Sequence, residues 1–150
     1  MITRRDLVVA AIVACATITA VTFADSVASP ILHSSVFNWA DSKTETTKYG
    51  ARRQVFDSRT AILEQLEVHV TTLKPGEAPH AGHRHSAEEL IIIKEGSLEA
   101  VQNGTTNQAG PGAVVFEASG EYHSLRNVSQ MPATYYVIKV VPPNVPDKSY

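Results

Sequence analysis

The 150-residue sequence has very little sulfur and no excess of charge of either sign. Its one cysteine, Cys15, lies in an apolar segment near the N-terminus, and 13 basic against 15 acidic residues give a formal net charge of −2. Because the rest of the chain has no thiol, disulfides, iron–sulfur clusters and thiolate catalysis are excluded there. A net charge so close to zero gives no electrostatic basis for nucleic-acid binding, and we expect no nucleic acid among the partners.

Helical periodicity and long hydrophobic runs are also missing after the first 24 residues. With 43% hydrophobic and 19% charged residues, the composition is that of an ordinary chain with one folded domain. Short alternating segments are instead separated by turns that contain glycine or proline, and no internal repeat is visible. This pattern is typical of an all-β, antiparallel sandwich or barrel.

The one long apolar run stands at the N-terminus and has the layout of an export signal. A basic pair, Arg4 and Arg5, precedes an apolar segment that ends in small residues. We predict a signal peptide over residues 1–24, cleaved after Ala24 or Ala28, and an exported protein, periplasmic or extracellular in a bacterium. The arginine pair resembles a twin-arginine signal. If the segment were uncleaved, it would anchor the protein in a membrane.

Three regions are predicted after the signal. Residues 25–51 are polar and rich in serine and threonine, and we expect a tether with one short docking strand. Residues 52–141 are expected to form the barrel, and residues 142–150 a loose, proline-rich tail. Trp39, in the tether, is expected to pack on the outside of the barrel, with a lid over the barrel mouth as the alternative.

Local patterns predict the turns and one half-buried strand of this barrel. Asp57-Ser58 is predicted to be a turn, and Asn103-Gly104 a two-residue hairpin turn, because both of its positions tolerate positive φ. From Leu63 to Leu73 the sequence alternates between an apolar and a polar face, as a half-buried strand does. The apolar face holds Leu66, Val68 and Val70, and the polar face holds Glu67, His69 and Thr71. We therefore predict a structural role for His69.

Histidines recur at strand spacing in the middle of the chain. His83 and His85 are two residues apart, so in an extended strand their side chains point to one face and can bind a single metal ion. A helix would place them about 200° apart. Glu89 has the same parity, and His123 follows a later Gly-containing turn. Three imidazoles and a carboxylate suit a divalent first-row metal, although each residue alone could equally be a surface or core side chain.

These residues resemble the two signature motifs of the cupin superfamily. The first motif is carried by His83, His85, Glu89 and Gly96, and the second by Gly112, Gly120, His123 and Asn127. Ala118 stands where the second motif usually has proline, which stiffens a turn and is not a ligand. The resemblance covers residues 52–141 and implies a jelly-roll barrel, a double-stranded β-helix with a single cupin unit.

The resemblance also implies a mononuclear metal site. His83, His85, Glu89 and His123 would hold one divalent transition-metal ion, and Fe, Mn, Ni, Co, Cu and Zn all remain candidates. We expect an apolar barrel wall, formed by Ile91, Ile93, Leu98 and Val114 to Phe116, around a pocket for a small-molecule ligand or substrate. His80, in the loop ahead of the first motif, could reach the barrel mouth as a proton carrier.

Similarity to quercetinase-like and germin-like cupins implies a metal-dependent oxygenase or related oxidoreductase that acts on a small oxygen-chelating molecule. Two alternatives stay open, namely a non-catalytic cupin that binds a small molecule and a cupin isomerase or hydrolase. No catalytic residue is assigned. A homodimer through edge strands is also open, since the sequence does not decide the oligomeric state.

Overall fold

The computed structural model describes residues 30–150, which form an almost entirely β structure. The signal peptide predicted for residues 1–24, with the export that depends on it, lies outside the described residues and stays a prediction. In the described part of the chain, no helix is long and apolar enough to cross a membrane. The helical structure there is a 3-10 turn at Trp39–Asp41.

Nine strands occur between residues 30 and 150, and all their pairings are antiparallel. They are β1 (Thr44–Thr47), β2 (Gly50–Ser58), β3 (Gln65–Leu73), β4 (Glu88–Glu95), β5 (Leu98–Gln102), β6 (Thr105–Ala109), β7 (Val114–Glu117), β8 (His123–Asn127) and β9 (Ala133–Val141). One sheet has the order β1-β2-β3-β9-β4-β7, and the other has the order β6-β5-β8. The all-β, antiparallel jelly-roll expected from the sequence is confirmed.

Buried side chains from both sheets meet in one apolar core. Its largest fully buried members are Leu73, Ile91, Ile93, Leu98 and Tyr135. The predicted wall residues on β4 and β5 are therefore inside. On β7 the prediction was too broad, because Val115 is buried whereas Val114 and Phe116 are 60% and 50% exposed. Successive residues of a strand face opposite sides, so only alternate positions of this segment can reach the interior.

One of the two predicted turns is confirmed and the other is wrong. Asn103 and Gly104 join β5 to β6 with φ values of 49° and 84°, the positive pair that a type I′ hairpin turn requires. Asp57 and Ser58 instead continue β2, where they pair with Glu67 and Leu66 of β3. The irregularity in β2 is a bulge between Gln54 and Phe56, which shifts the register without ending the strand.

The segment before the barrel is partly ordered against its outer surface. The predicted short docking strand is β1, in the threonine-rich stretch, and it pairs with β2. Strand β2 begins at Gly50, two residues before the predicted start of the barrel at residue 52. Trp39 lies in the 3-10 turn, with the guanidinium carbon of Arg53 4.2 Å from its ring centroid. Its side chain is half exposed and lies on this outer surface, away from the main cavity.

The C-terminal tail is docked, contrary to the expectation that it would be loose. Tyr150 N donates to the carbonyl of Arg84 over 2.8 Å, and Ser86 N donates to the carbonyl of Lys148 over 2.9 Å. Lys148 N in turn donates to the Ser86 hydroxyl over 2.9 Å. The segment before β4 has backbone groups that need hydrogen-bond partners, and the tail supplies them. The tail thereby supports the backbone on either side of His85.

Candidate metal centre

The three predicted ligand histidines meet at one end of the barrel. His83 N donates to the carbonyl of His123 over 3.1 Å, and His123 N donates back to the carbonyl of His83 over 3.0 Å. This antiparallel bridge brings β8 alongside the extended segment that carries His83 and His85. One ligand nitrogen from each ring lies within 4.8 Å of the others. The ring centroids are between 4.6 and 5.2 Å apart.

Backbone carbonyls orient two of these rings. His85 Nδ1 donates to the carbonyl of Ala87, and His123 Nδ1 donates to the carbonyl of Glu121, both over 3.0 Å. Because a carbonyl only accepts, each Nδ1 carries a hydrogen and each Nε2 is left to face the cluster, as is usual for metal-binding histidines. Among the described residues, His123 Nε2 and His83 Nδ1 are buried without a hydrogen-bond partner. A bound cation would satisfy such nitrogens.

Two carboxylates adjoin the histidines, and the sequence predicted one of them. Glu89 Oε1 lies 3.3 Å from His85 Nε2, and Glu117 Oε2 lies 3.3 Å from His123 Nε2. Glu89 and Glu117 are direct cross-strand partners on β4 and β7. The structure thus places the four predicted residues in two groups. His83, His85 and His123 form the first, and His85 and Glu89 form the second together with Glu117. Glu117 is only 3% exposed.

The imidazoles sit in unequal electrostatic surroundings. Burial, followed by the proximity of His80 and His85, lowers the pKa of His83. Burial and the neighbouring His85 likewise lower the pKa of His123. The hydrogen bond with Glu89 raises the pKa of His85 against the opposing effect of burial. Two of the three rings are therefore biased towards the neutral form in which imidazole binds a metal.

The carboxyl groups of Glu89 and Glu117 also have unequal surroundings, and their pKa values shift in opposite directions. Burial alone would raise the pKa of Glu89, but the hydrogen bond and charge of His85 outweigh it and the pKa is lowered. Burial, together with the negative charge of Glu89, raises the pKa of Glu117 to about 8. Two adjacent buried carboxylates repel each other when no cation lies beside them, and this repulsion favours the protonated, neutral form of one of them. The donor set therefore fits a divalent cation chemically.

A cavity of about 180 Å³ lies beside the cluster. Ligand pockets usually measure about 300–1,000 Å³, so this space suits a small molecule. The sequence left open that His80 reaches the barrel mouth, and in the structure His80 lines this cavity. Its ring centroid lies 4.3 Å from that of His83. The other lining side chains include Arg52, His69, Glu89, Glu117, His123, Ile91, Leu125, Tyr135 and Val137.

His69, for which the sequence predicted a structural role, also lines this cavity. The alternation predicted for β3 is present, but the polar face turns inward. Glu67 and Thr71 are 8% and 2% exposed, whereas Leu66 and Val68 are only half-buried. Alternation shows which residues share a face, and it does not show which face lies inside when both faces are partly covered.

The carboxylate of Glu67 makes a testable contribution to stability in acid. The hydrogen bond to His69 is the largest cause that lowers its pKa from 4.5 to about 2, with Arg52 adding to the effect. A carboxyl group with a lowered pKa stabilises the fold above its unfolded pKa, and this contribution is lost as the pH falls from about 4.5 to 2. We expect Glu67→Gln to cost about 1–3 kcal/mol near pH 6, and the difference from wild type to shrink towards pH 2.

Urea unfolding of the metal-free protein at several pH values between 6 and 2 would measure this difference. Glu45→Gln, at an exposed position on β1, is the matched control and should change stability little. A difference between wild type and Glu67→Gln that stays constant down to pH 2 would contradict the prediction.

Comparisons with known proteins agree with this architecture. Residues 69–139 match the family model described as "Cupin domain". The HTH-type transcriptional activator RhaS of Mannheimia succiniciproducens is 32% identical over 57 residues, which are 38% of this chain and 21% of that protein. The chain therefore matches about a fifth of that relative's length, so the similarity concerns one segment of it.

Solved structures resemble most of the described fold. KdgF from Halomonas sp. superposes with a TM-score of 0.63 at 14% identity, over 75% of this chain and 97% of that one. A sugar phosphate isomerase from a cupin superfamily, from Silicibacter pomeroyi, gives 0.59 at 18% identity, over 77% and 80% of the two chains. At these identities the similarity shows the fold alone.

Proposed function

The chain is a cupin-domain protein, and from this premise we propose that it binds one divalent transition-metal ion and acts on a small molecule that chelates the metal through oxygen. The observation that carries the proposal is the convergence of His83, His85 and His123, whose ligand nitrogens lie within 4.8 Å of one another. Glu89, in contact with His85, completes the proposed donor set.

The chain's own residues have distinct tasks at this site. His83, His85, His123 and Glu89 would hold the metal, and this nitrogen and oxygen set is compatible with Fe, Mn, Ni, Co, Cu and Zn. When bound, the metal supplies Lewis acidity and a binding position for a ligand oxygen. The carbonyls of Ala87 and Glu121 fix the orientation of two of the rings. Apolar side chains such as Ile91, Leu125 and Val137 line the cavity and limit the access of water.

The size and lining of the cavity support a small substrate. A cavity of about 180 Å³ favours a compact acid, hydroxy acid or enol. Oxygenase activity, expected from the resemblance, stays a prediction within this proposal. Non-catalytic binding and isomerase or hydrolase activity are the other outcomes of its test.

The test begins with metal analysis. Protein purified without metal is titrated with each of the six candidate ions, and we expect tight binding of one ion per chain for at least one of them. Oxygen consumption and loss of substrate are then followed with small enol, catechol and 2-oxo acid probes, so that oxygenase turnover and turnover without oxygen are both detected. A protein that binds none of the ions contradicts the proposal. Binding followed by no turnover of any probe contradicts its enzymatic part and favours the binding module.

A further inference from the structure

A second polar cluster, on β2 and β3, lies at the same cavity. It consists of Arg52 on β2 and of Glu67 and His69 on β3. His69 Nδ1 lies 2.9 Å from Glu67 Oε1 and 3.1 Å from Arg52 Nη2, and Arg52 also pairs with Glu67. Nothing in the proposed metal set uses these residues, although His69 and Arg52 line the cavity.

The hydrogen bonds of this cluster leave one ring nitrogen of His69 free for chemistry. The Glu67 carboxylate only accepts and the Arg52 guanidinium only donates. When His69 Nδ1 carries the hydrogen it donates to Glu67, and Nε2 then has a lone pair that can take a proton. When Nδ1 is bare it accepts from Arg52, and Nε2 then carries a hydrogen that it can give. The pair Glu67–His69 therefore has the arrangement of an oriented base.

The strand register places this base on the same sheet as Glu89, two strands away, and both side chains line the cavity. His69 on β3 pairs with Val137 on β9, which pairs with Ile91 on β4. Two strand spacings separate the backbones of His69 and Ile91, about 10 Å. Glu89, two residues before Ile91, shares the inner face with it. A small molecule bound in this cavity would therefore be lined by His69 as well as by Glu89 and His123.

We propose that His69 is the general base of this site, that Glu67 positions it, and that the substrate class is small 2-oxo acids. This inference rests on the proposed function, because the two oxygens of such an acid would face the metal. Arg52 lines the same cavity and bonds Glu67 and His69 through Nη2, so its other N–H groups can donate to the carboxylate of such an acid. A 2-oxo acid also has an acidic C–H bond next to its carbonyl, within a molecule small enough for the cavity.

The proposed step is a balanced proton transfer. His69 Nε2 takes the proton from the carbon next to the carbonyl, and the C–H electron pair becomes the C=C bond of the enolate. The carbonyl electron pair moves onto its oxygen. Return of a proton from Nε2 to carbon regenerates the acid. In D₂O the abstracted proton on Nε2 exchanges with solvent before this return, so the carbon receives deuterium. No oxidant or reductant is needed.

Pyruvate is the probe for this step. Metal-loaded protein is incubated with pyruvate in D₂O, and loss of the methyl signal is followed by proton NMR, with free metal as the blank. We expect His69→Gln to lower kcat for exchange at least about 100-fold, with KM and metal content little changed. His33→Gln, at an exposed position outside the barrel, is the matched control and should exchange at the wild-type rate.

A second measurement does not depend on turnover. Nitrogen NMR of the metal-free protein reports which ring nitrogen of His69 carries the hydrogen. We expect the Nδ1–H form in wild type and a shift towards the Nε2–H form in Glu67→Gln, since Arg52 then remains as the charged partner of Nδ1. A packing role alone for Glu67 would leave this balance unchanged, and an unchanged balance would overturn its positioning role.

The outcomes separate the two proposals. Failure to bind any metal overturns the proposed function and this inference with it. Stoichiometric metal binding together with exchange no faster than the blank overturns the inference alone. Exchange by His69→Gln at the wild-type rate shows that another group takes the proton, and it overturns the inference while leaving the metal site intact.

Discussion

Replacing His123 by alanine is expected to abolish stoichiometric metal binding. His123 Nε2 is buried without a hydrogen-bond partner among the described residues. The His123 ring offers a ligand nitrogen within 4.8 Å of those of His83 and His85, and its Nε2 lies 3.3 Å from Glu117 Oε2. Loss of outer-shell partners alone lowers metal affinity about 10- to 100-fold, so loss of a direct ligand should lower it by at least about 100-fold. Metal titration and elemental analysis of wild type and His123→Ala would measure the change.

His80→Ala is the matched control for this prediction. The ring of His80 contacts that of His83 and lines the same cavity, but His80 is exposed and lies outside the proposed ligand set. We expect its replacement to change metal affinity only slightly. Equal losses in His80→Ala and His123→Ala would show that the ligand set is misassigned, and retention of full affinity by His123→Ala would remove the proposed metal site.

The same titration decides which carboxylate belongs to the set. Glu89→Gln and Glu117→Gln both keep the side-chain shape and remove the charge. The proposed set predicts a large loss of affinity for Glu89→Gln and a smaller one for Glu117→Gln. The reverse order would transfer the fourth ligand position to Glu117, which contacts His123 as closely as Glu89 contacts His85.

The fold class and the shared face of His83 and His85 were predictable because the decisive signals are local. The spacing of His83 and His85 fixes a common face in any extended segment, and Asn103-Gly104 fixes a hairpin. Spacing alone does not predict that His123 lies next to His83, since the two are far apart in sequence. The resemblance to known motifs predicted that contact, and the antiparallel bridge between their backbones confirms it.

Glu117 and the inward position of His69 depend on strand pairing, which the sequence alone did not supply. Glu117 shares the parity of Val115, so a correct inward assignment of Val115 would have flagged it. The place of Glu117 in the site follows only from the pairing of β7 with β4, which sets Glu117 opposite Glu89. For His69, the hydrophobic pattern indicated the wrong inner face, because a polar cavity reverses the usual rule that apolar residues point inward. Both errors fall at the candidate functional site, where local rules most often fail.

Replacing Asn127 is expected to have the largest effect on stability among the substitutions considered. Asn127 is fully buried at the end of β8. Its Nδ2 donates to the carbonyls of Leu73 and Lys74 over 3.1 Å and of Met131 over 2.9 Å. Its Oδ1 accepts from the backbone N–H of Ser129 over 2.9 Å and from the Ser129 hydroxyl over 2.7 Å. One side chain thus joins the end of β3 to the loop that precedes β9.

We expect Asn127→Ala to cost about 3–4 kcal/mol, because each buried polar group left without a partner costs about 1–3 kcal/mol and several are affected. This is a large part of the roughly 5–15 kcal/mol that stabilises a typical domain. Tm should fall by about 10 °C, at about 2–4 °C per kcal/mol for a chain of this size. Denaturant and thermal unfolding of the metal-free protein would measure both quantities.

Asn127→Asp separates hydrogen bonding from packing, because aspartate keeps the shape and removes both N–H donors. It would also set a negative charge against three carbonyl oxygens, so we expect it to destabilise the fold at neutral pH at least as much as Asn127→Ala does. Asn107→Asp, at an exposed position on β6, is the matched control and should change stability by less than about 0.5 kcal/mol. If Asn127→Asp unfolds at the same denaturant concentration as this control, the hydrogen bonds of Asn127 do not hold the end of β3 to the loop that precedes β9.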